Sequence, residues 1–92
     1  MFTEKLKNDL ISIINHFGTD SQMFKLYEEI GELIESFDPE NEKEEMVDVW
    51  ILLTQFILID EKMQEIMSCK INRTLDRIKT GYYNQLNLFK GK

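Results

Sequence analysis

Apolar residues recur every three or four positions along most of the chain, which is the pattern of amphipathic helices. No segment keeps the strict alternation of apolar and polar residues that is typical of strands. Four glycines and one proline separate the segments that carry the helical pattern. We therefore predict four helices, at about residues 3–17, 19–37, 38–58 and 61–79.

Residues that favour helix ends lie between these segments. Gly18 follows the first apolar stripe, where a glycine commonly ends a helix. Thr19 and Gln22 have the spacing of a capping box at the start of the second helix. Asp38 followed by Pro39 suits the start of the third helix, because Asp caps well and Pro favours the first helical position.

The second half of the third helix, VWILLTQFILI, is apolar on almost all sides, so we expect this helix to be the most buried. A chain of 92 residues buries only about two-thirds of the surface that it exposes when unfolded, so an isolated monomer would be marginally stable. We predict one all-α domain, residues 1–92, forming a four-helix bundle that a homodimer or homotetramer completes. The partly apolar tail, 82–92, is expected to dock on a partner subunit.

Composition excludes several classes of protein. One cysteine, Cys69, cannot form an intrachain disulfide, so the chain is not a disulfide scaffold. The longest apolar stretch, residues 46–59, is shorter than the roughly 20 residues of a membrane-spanning helix. The net charge of −6 disfavours nucleic-acid binding. We expect a cytoplasmic protein that binds neither membranes nor nucleic acids.

The charges are unevenly distributed. Residues 28–48 contain ten acids and one base, whereas residues 62–92 contain seven bases and two acids. An acidic region that binds a cation, beside a basic helix, suits a phosphate compound chelated by a metal ion.

Two pairs of carboxylates share the same helical spacing. Glu29 and Glu32 are three residues apart on the second predicted helix, and Glu45 and Asp48 are three residues apart on the third. Consecutive helices joined by short loops are antiparallel neighbours, so the two pairs can converge on one site. An all-oxygen site of this kind suits Mg²⁺, for which Mn²⁺ can substitute.

The simplest alternative is a solvated acidic helix face, which is the usual meaning of an isolated Glu-x-x-Glu. Two residues argue against it. Asp48 lies between Val47 and Val49, and a buried carboxylate costs several kcal/mol unless it is paired or binds a metal. A glycine within a helix, such as Gly31, destabilises the helix by about 1 kcal/mol relative to alanine. The close approach of another helix or of a ligand would explain a glycine at this position.

The spacing Glu-x-x-Glu, a short gap and Glu-x-x-Asp resembles that of the MazG-like, all-α nucleoside triphosphate pyrophosphohydrolases. The segments QMFKLYEEIGEL and EEMVDVWILL are similar to two segments of that family, and CKINRTLDR is similar to its Lys-x-x-Arg region. The resemblance covers about residues 17–83. The turn at 58–60 lacks the glycine often found there in the family.

The resemblance implies Mg²⁺-dependent hydrolysis of a nucleoside or deoxynucleoside triphosphate to the monophosphate and pyrophosphate. The family's metal ligands and catalytic carboxylates correspond to Glu29, Glu32, Glu45 and Asp48. Of these, Glu29 or Glu32 is expected to orient or deprotonate the attacking water. The phosphate-binding bases of the family correspond to Lys70 and Arg73.

Three alternatives remain open at this stage. The chain could be a phosphoribosyl-ATP or dUTP-type hydrolase of the same superfamily. It could be a non-catalytic helical interaction module that uses the acidic residues for metal-stabilised dimerisation. It could also be a structural bundle in which Asp48 forms an interface salt bridge.

Overall fold

The computed structural model describes residues 3–82 and residue 84, and it is all-α, as predicted. Its helices are α1 (Glu4–Phe17), α2 (Thr19–Ile34), α3 (Pro39–Leu58) and α4 (Glu61–Thr80). No described residue lies in a strand. None of the described helices combines the length and the apolar character that crossing a membrane requires.

Local hydrogen bonds explain where most of these helices begin and end. The hydroxyl of Thr3 caps α1 by accepting a hydrogen bond from the backbone N–H of Leu6 at 3.1 Å. The carboxylate of Asp38 accepts from the N–H of Asn41 at 3.4 Å, and Pro39 is the first residue of α3. The start predicted for the third helix is therefore confirmed. The end predicted for the second helix is wrong by three residues, because α2 stops at Ile34.

Gly18 alone connects α1 to α2. Its φ of +89° lies in the left-handed region that favours glycine. Its N–H donates to the carbonyl of Ile14 at 2.8 Å, and its own carbonyl accepts from the N–H of Gln22 at 3.1 Å. The predicted capping box of Thr19 and Gln22 is wrong, because Gly18 is the N-cap and makes no side-chain cap, while the Gln22 side chain is buried.

Helices α1, α2 and α3 pack together in the first of two compact units, which ends at Glu61. The fully buried apolar residues come from all three helices: Leu10, Ile14, Leu26 and Leu52. An equal number of polar residues is buried with them: Gln22, Glu29, Thr54 and Gln55. Buried polar groups are costly unless they have partners, so the stability of this core depends on the hydrogen bonds that these residues make.

Helix α3 is less buried than its sequence predicts. Leu52, Thr54 and Gln55 are buried, whereas Val47 and Leu53 are exposed by 55% and 41%. Helices α1 and α2 cover one side of α3, so its remaining apolar side chains face outward in the single chain.

Helix α4 lies in the second compact unit, which begins at Lys62. None of its residues is fully buried, and its predicted apolar stripe is exposed at Ile66, Met67, Ile71, Leu75 and Ile78. The guanidinium of Arg77 lies 4.6 Å from the centre of the Tyr82 ring. Apart from Tyr82 and Asn84, the tail expected to dock on a partner lies outside the described residues.

We predict self-association, because large apolar side chains on α2, α3 and α4 are exposed in the single chain and covering them is favourable. Light scattering at micromolar concentration should give a mass of at least twice the 11.0 kDa of one chain. A monodisperse species of 11.0 kDa over the same concentration range would contradict this prediction.

Candidate metal centre

Three of the four predicted carboxylates come together where α2 packs against α3. Glu29 and Glu32 lie one turn apart on α2, and Glu45 lies on α3. One carboxylate oxygen from each residue lies within 4.8 Å of the others. Glu29 is buried, Glu45 is half-buried and Glu32 is exposed, so this carboxylate cluster extends from the protein interior to the surface.

Two buried oxygens of the carboxylate cluster have no hydrogen-bond donor among the described residues. They are Oε2 of Glu29 and Oε2 of Glu45. Lys25 reaches the other oxygen of Glu29, with its Nζ 3.3 Å from Oε1, and it also pairs with Glu28 at 3.1 Å. A buried oxygen without a donor costs about 1–3 kcal/mol or more when charged, so a proton, a cation or an ordered water at these oxygens would be stabilising.

The pKa values of the three carboxyl groups are also shifted by their close approach. Hydrogen bonding to Glu29, burial, and the hydrogen bond and charge of Glu32 raise the pKa of Glu45 to about 7. The hydrogen bond and charge of Glu29 are the main causes that raise the pKa of Glu32. Burial opposes the ionisation of Glu29, but hydrogen bonds with Glu45, Lys25 and Glu32 outweigh it and lower its pKa. Of the three carboxyl groups, that of Glu45 therefore has its pKa raised to near neutral pH.

Asp48 is not part of the group formed by the other three carboxylates. It is exposed, so the expectation that it is buried between Val47 and Val49 is wrong. The physical reason is that Asp48 lies at an open cleft lined by α1, α2 and α3, so that solvent reaches its carboxylate although Leu52, one turn later on α3, is buried. Asp48 lines a cleft that Glu29 also lines, and its role as a fourth metal ligand stays a prediction.

Gly31 lies between Glu29 and Glu32 on α2, and the space beside it is open. A Cβ atom built at Gly31 would meet no atom within 4 Å apart from its own helix backbone and chain neighbours. The expected close approach of another helix is therefore absent from the described residues. The cost of this glycine to the helix is not explained by packing within the single chain.

Lys70 and Arg73 lie on α4, three residues apart and exposed. The hydroxyl of Thr74 donates to the carbonyl of Lys70 at 2.9 Å, which is a contact within the helix. Their assignment as phosphate-binding residues stays a prediction.

The structure also contains a polar contact that the sequence analysis did not identify. Nε2 of Gln22 on α2 donates to Oε1 of Gln55 on α3 at 2.7 Å, and both side chains are buried. The available signal was the position of Gln55 in an otherwise apolar run, but the run does not identify its partner 33 residues earlier. Both glutamines line the same cleft as Glu29 and Asp48.

Models of protein families, curated proteins and solved structures were compared with this chain, and none of them matches it.

We predict that the metal-free protein becomes less stable as the pH rises from about 4.5 to above 7. The folded state binds the Glu45 proton more tightly than the unfolded state, whose pKa is 4.5, so this stabilisation is complete below pH 4.5 and lost as pH passes about 7. Glu32 acts in the same direction, whereas the lowered pKa of Glu29 matters only below pH 4.5. Thermal unfolding in EDTA across this range measures the effect.

Glu45→Gln should flatten this dependence of the Tm on pH, because an amide does not titrate. Glu44→Gln is the matched control, since it removes a neighbouring exposed carboxylate outside the cluster. A slope that persists unchanged in Glu45→Gln would show that other groups cause it.

Proposed function

We propose that this chain is a Mg²⁺-dependent nucleoside triphosphate pyrophosphohydrolase, which releases the monophosphate and pyrophosphate. The observation that carries the proposal is the pair of buried carboxylate oxygens, on Glu29 and Glu45, that lack a donor within a group of three carboxylates. The resemblance of the same residues to the metal-binding motif of the MazG-like family supports the choice of reaction.

The chemistry of the cluster fits a hard divalent cation. Glu29, Glu32 and Glu45 offer only oxygen ligands, which Mg²⁺ and Mn²⁺ prefer, and Asp48 follows one turn after Glu45 on α3. Protein Mg²⁺ sites commonly use a few carboxylates and leave the remaining positions to water and substrate phosphates. When bound, Mg²⁺ supplies neutralisation of the triphosphate charge and a more acidic water.

The three carboxylates differ in their surroundings, and this suggests different roles. Glu29 is buried and paired with Lys25, so it is suited to holding the cation in place. Glu32 is exposed and its pKa is raised, so its carboxylate is the better acceptor for a proton from the attacking water. Of the two residues proposed for this role from the sequence, we therefore favour Glu32.

Lys70 and Arg73 complete the proposal as the groups that bind the phosphates of the substrate. They lie one turn apart on α4 and share a helix face. Fixed positive charges stabilise the charge that develops on pyrophosphate as it departs.

The large apolar side chains exposed on α2 and α3 favour a second candidate function. Ile34, Val47 and Trp50 are exposed by 75%, 55% and 40%. A non-catalytic module that dimerises through this surface, with a metal ion stabilising the carboxylates, would use the same residues. It would bind Mg²⁺ without hydrolysing nucleotides.

We expect the protein to convert nucleoside triphosphates to monophosphate and pyrophosphate with Mg²⁺, and to lose this activity in EDTA. Glu45→Gln should lower kcat/KM by at least about 100-fold, since even residues that only support metal ligands cost 10- to 100-fold. Asp48→Asn tests the fourth ligand in the same assay, and Glu44→Gln is the control that should retain activity. Detecting pyrophosphate and orthophosphate separately measures the outcome.

The same samples separate the two candidate functions. Mg²⁺ should raise the Tm of the parent protein and of Glu44→Gln but not that of Glu45→Gln, because a ligand stabilises the state that binds it. Orthophosphate as the primary product would contradict cleavage to pyrophosphate. Stabilisation by Mg²⁺ with no turnover of any common nucleotide would favour the interaction module.

For the basic residues, we predict that Lys70→Ala and Arg73→Ala each raise the activation barrier for kcat/KM by about 2–4 kcal/mol. The affinity for Mn²⁺ without nucleotide should remain unchanged, because these residues act on the phosphates. Lys79→Ala, at another exposed base of α4, is the matched control. Full activity in both variants would mean that the phosphate-binding bases lie elsewhere, such as at Lys25 or Lys62.

A further inference from the structure

Helices α1, α2 and α3 line an open cleft of about 710 Å³ beside the carboxylate cluster. Much of its lining is apolar or aromatic, with Ile13, Phe17, Phe24, Ile51 and Leu52. Glu29 belongs both to this lining and to the carboxylate cluster. A molecule in the cleft would therefore lie next to a cation held by the cluster.

The buried glutamine pair contributes the strongest polar feature of the cleft. Gln22 is exposed by 6% and Gln55 by 1%, and one hydrogen bond of 2.7 Å joins them. That bond uses Nε2 of Gln22 and Oε1 of Gln55. Within the described chain, Oε1 of Gln22 and Nε2 of Gln55 have no further side-chain bond, which leaves one acceptor and one donor for a ligand.

The presence of one free donor and one free acceptor does not depend on the orientation of the two side-chain amides. If both amides rotate by half a turn, Gln55 donates to Gln22, and the free groups become a donor on Gln22 and an acceptor on Gln55. The pair presents one donor and one acceptor in either state, in opposite order. Its complement is a flat group with an adjacent donor and acceptor along one edge.

We propose that the cleft binds the base of the nucleotide and that the Gln22–Gln55 pair hydrogen-bonds to the edge of that base. This inference rests on the proposed function, since Glu29 places the cleft beside the cluster that would hold the metal-chelated phosphates. Phe17 and Phe24 line the cleft and supply rings against which a flat base packs.

The reversible pair also determines the substrate class. Uracil, thymine and guanine present a carbonyl beside an N–H, whereas cytosine and adenine present an amino group beside a ring nitrogen acceptor. One orientation of the amides matches the first order and the other orientation matches the second. The glutamine pair therefore accepts keto and amino bases alike and rejects a base whose edge is blocked by a methyl group.

The test is nucleoside binding to the full chain in EDTA, which removes any contribution from metal or phosphate. Uridine, cytidine and N3-methyluridine are titrated while the side-chain amide signals of Gln22 and Gln55 are followed by NMR. We expect uridine and cytidine to shift both signals. N3-methyluridine should bind about tenfold more weakly or worse, because it lacks the edge donor.

The double variant Gln22→Met/Gln55→Met is the matched control for the hydrogen bonds. Replacing both partners with apolar side chains of similar shape leaves no unpaired buried group, so the fold should persist, whereas either single change would leave one amide without its partner. A cooperative thermal transition and an unchanged far-UV circular dichroism spectrum in EDTA confirm the fold. The double variant should bind uridine and N3-methyluridine equally weakly. Binding to this variant is followed through the backbone NMR signals of residues that line the cleft.

Two results would overturn the inference. In the first, none of the nucleosides shifts the side-chain amide signals of Gln22 and Gln55. In the second, the double variant still binds uridine more tightly than N3-methyluridine. Failure of the proposed function looks different: nucleosides bind as expected in EDTA, but Mg²⁺ and triphosphates give no pyrophosphate. Conversely, equal hydrolysis of nucleotides and inorganic tripolyphosphate, without nucleoside binding, would retain the hydrolase and exclude the base site.

Discussion

The repulsion between the carboxylates of Glu29 and Glu45 is the constraint on which this structure depends. Helices α2 and α3 bring the two side chains together, and each has a buried oxygen without a donor among the described residues. Lys25 neutralises the opposite oxygen of Glu29 and does not relieve this contact. A proton on Glu45, or a cation between the carboxylates, therefore stabilises the packing of α2 against α3. If a cation binds here as proposed, its binding would be coupled to folding through this contact.

The interior of the three-helix unit is organised around polar groups as much as apolar ones. Glu29 and the Gln22–Gln55 pair lie among Leu10, Ile14, Leu26 and Leu52, and the glutamines and Glu29 line one cleft. A core selected only for stability would use apolar residues at these positions, because each buried polar group needs a hydrogen bond in the protein to replace those that it makes with water. The arrangement is consistent with a protein that gives up stability to build a binding site, as functional sites commonly do.

Exposed apolar surface is the second consequence of this architecture. The second half of α3 is apolar on almost all sides, and within the first unit α1 and α2 pack against it while Val47, Trp50 and Leu53 remain accessible. The exposure of Asp48 has a different cause, because it lies at the open cleft lined by α1, α2 and α3.

The sequence by itself determined the helices, because helical periodicity and the Asp38–Pro39 start depend on residues close together in the chain. It also identified Glu29, Glu32 and Glu45 as neighbours, since carboxylates one turn apart on consecutive helices have few other places to meet. Only the tertiary structure decided that Gln22 pairs with Gln55 instead of capping α2, that Asp48 is exposed and that α3 is half covered. Periodicity specifies which residues share a helix face, but the partner that covers each face depends on packing between distant segments.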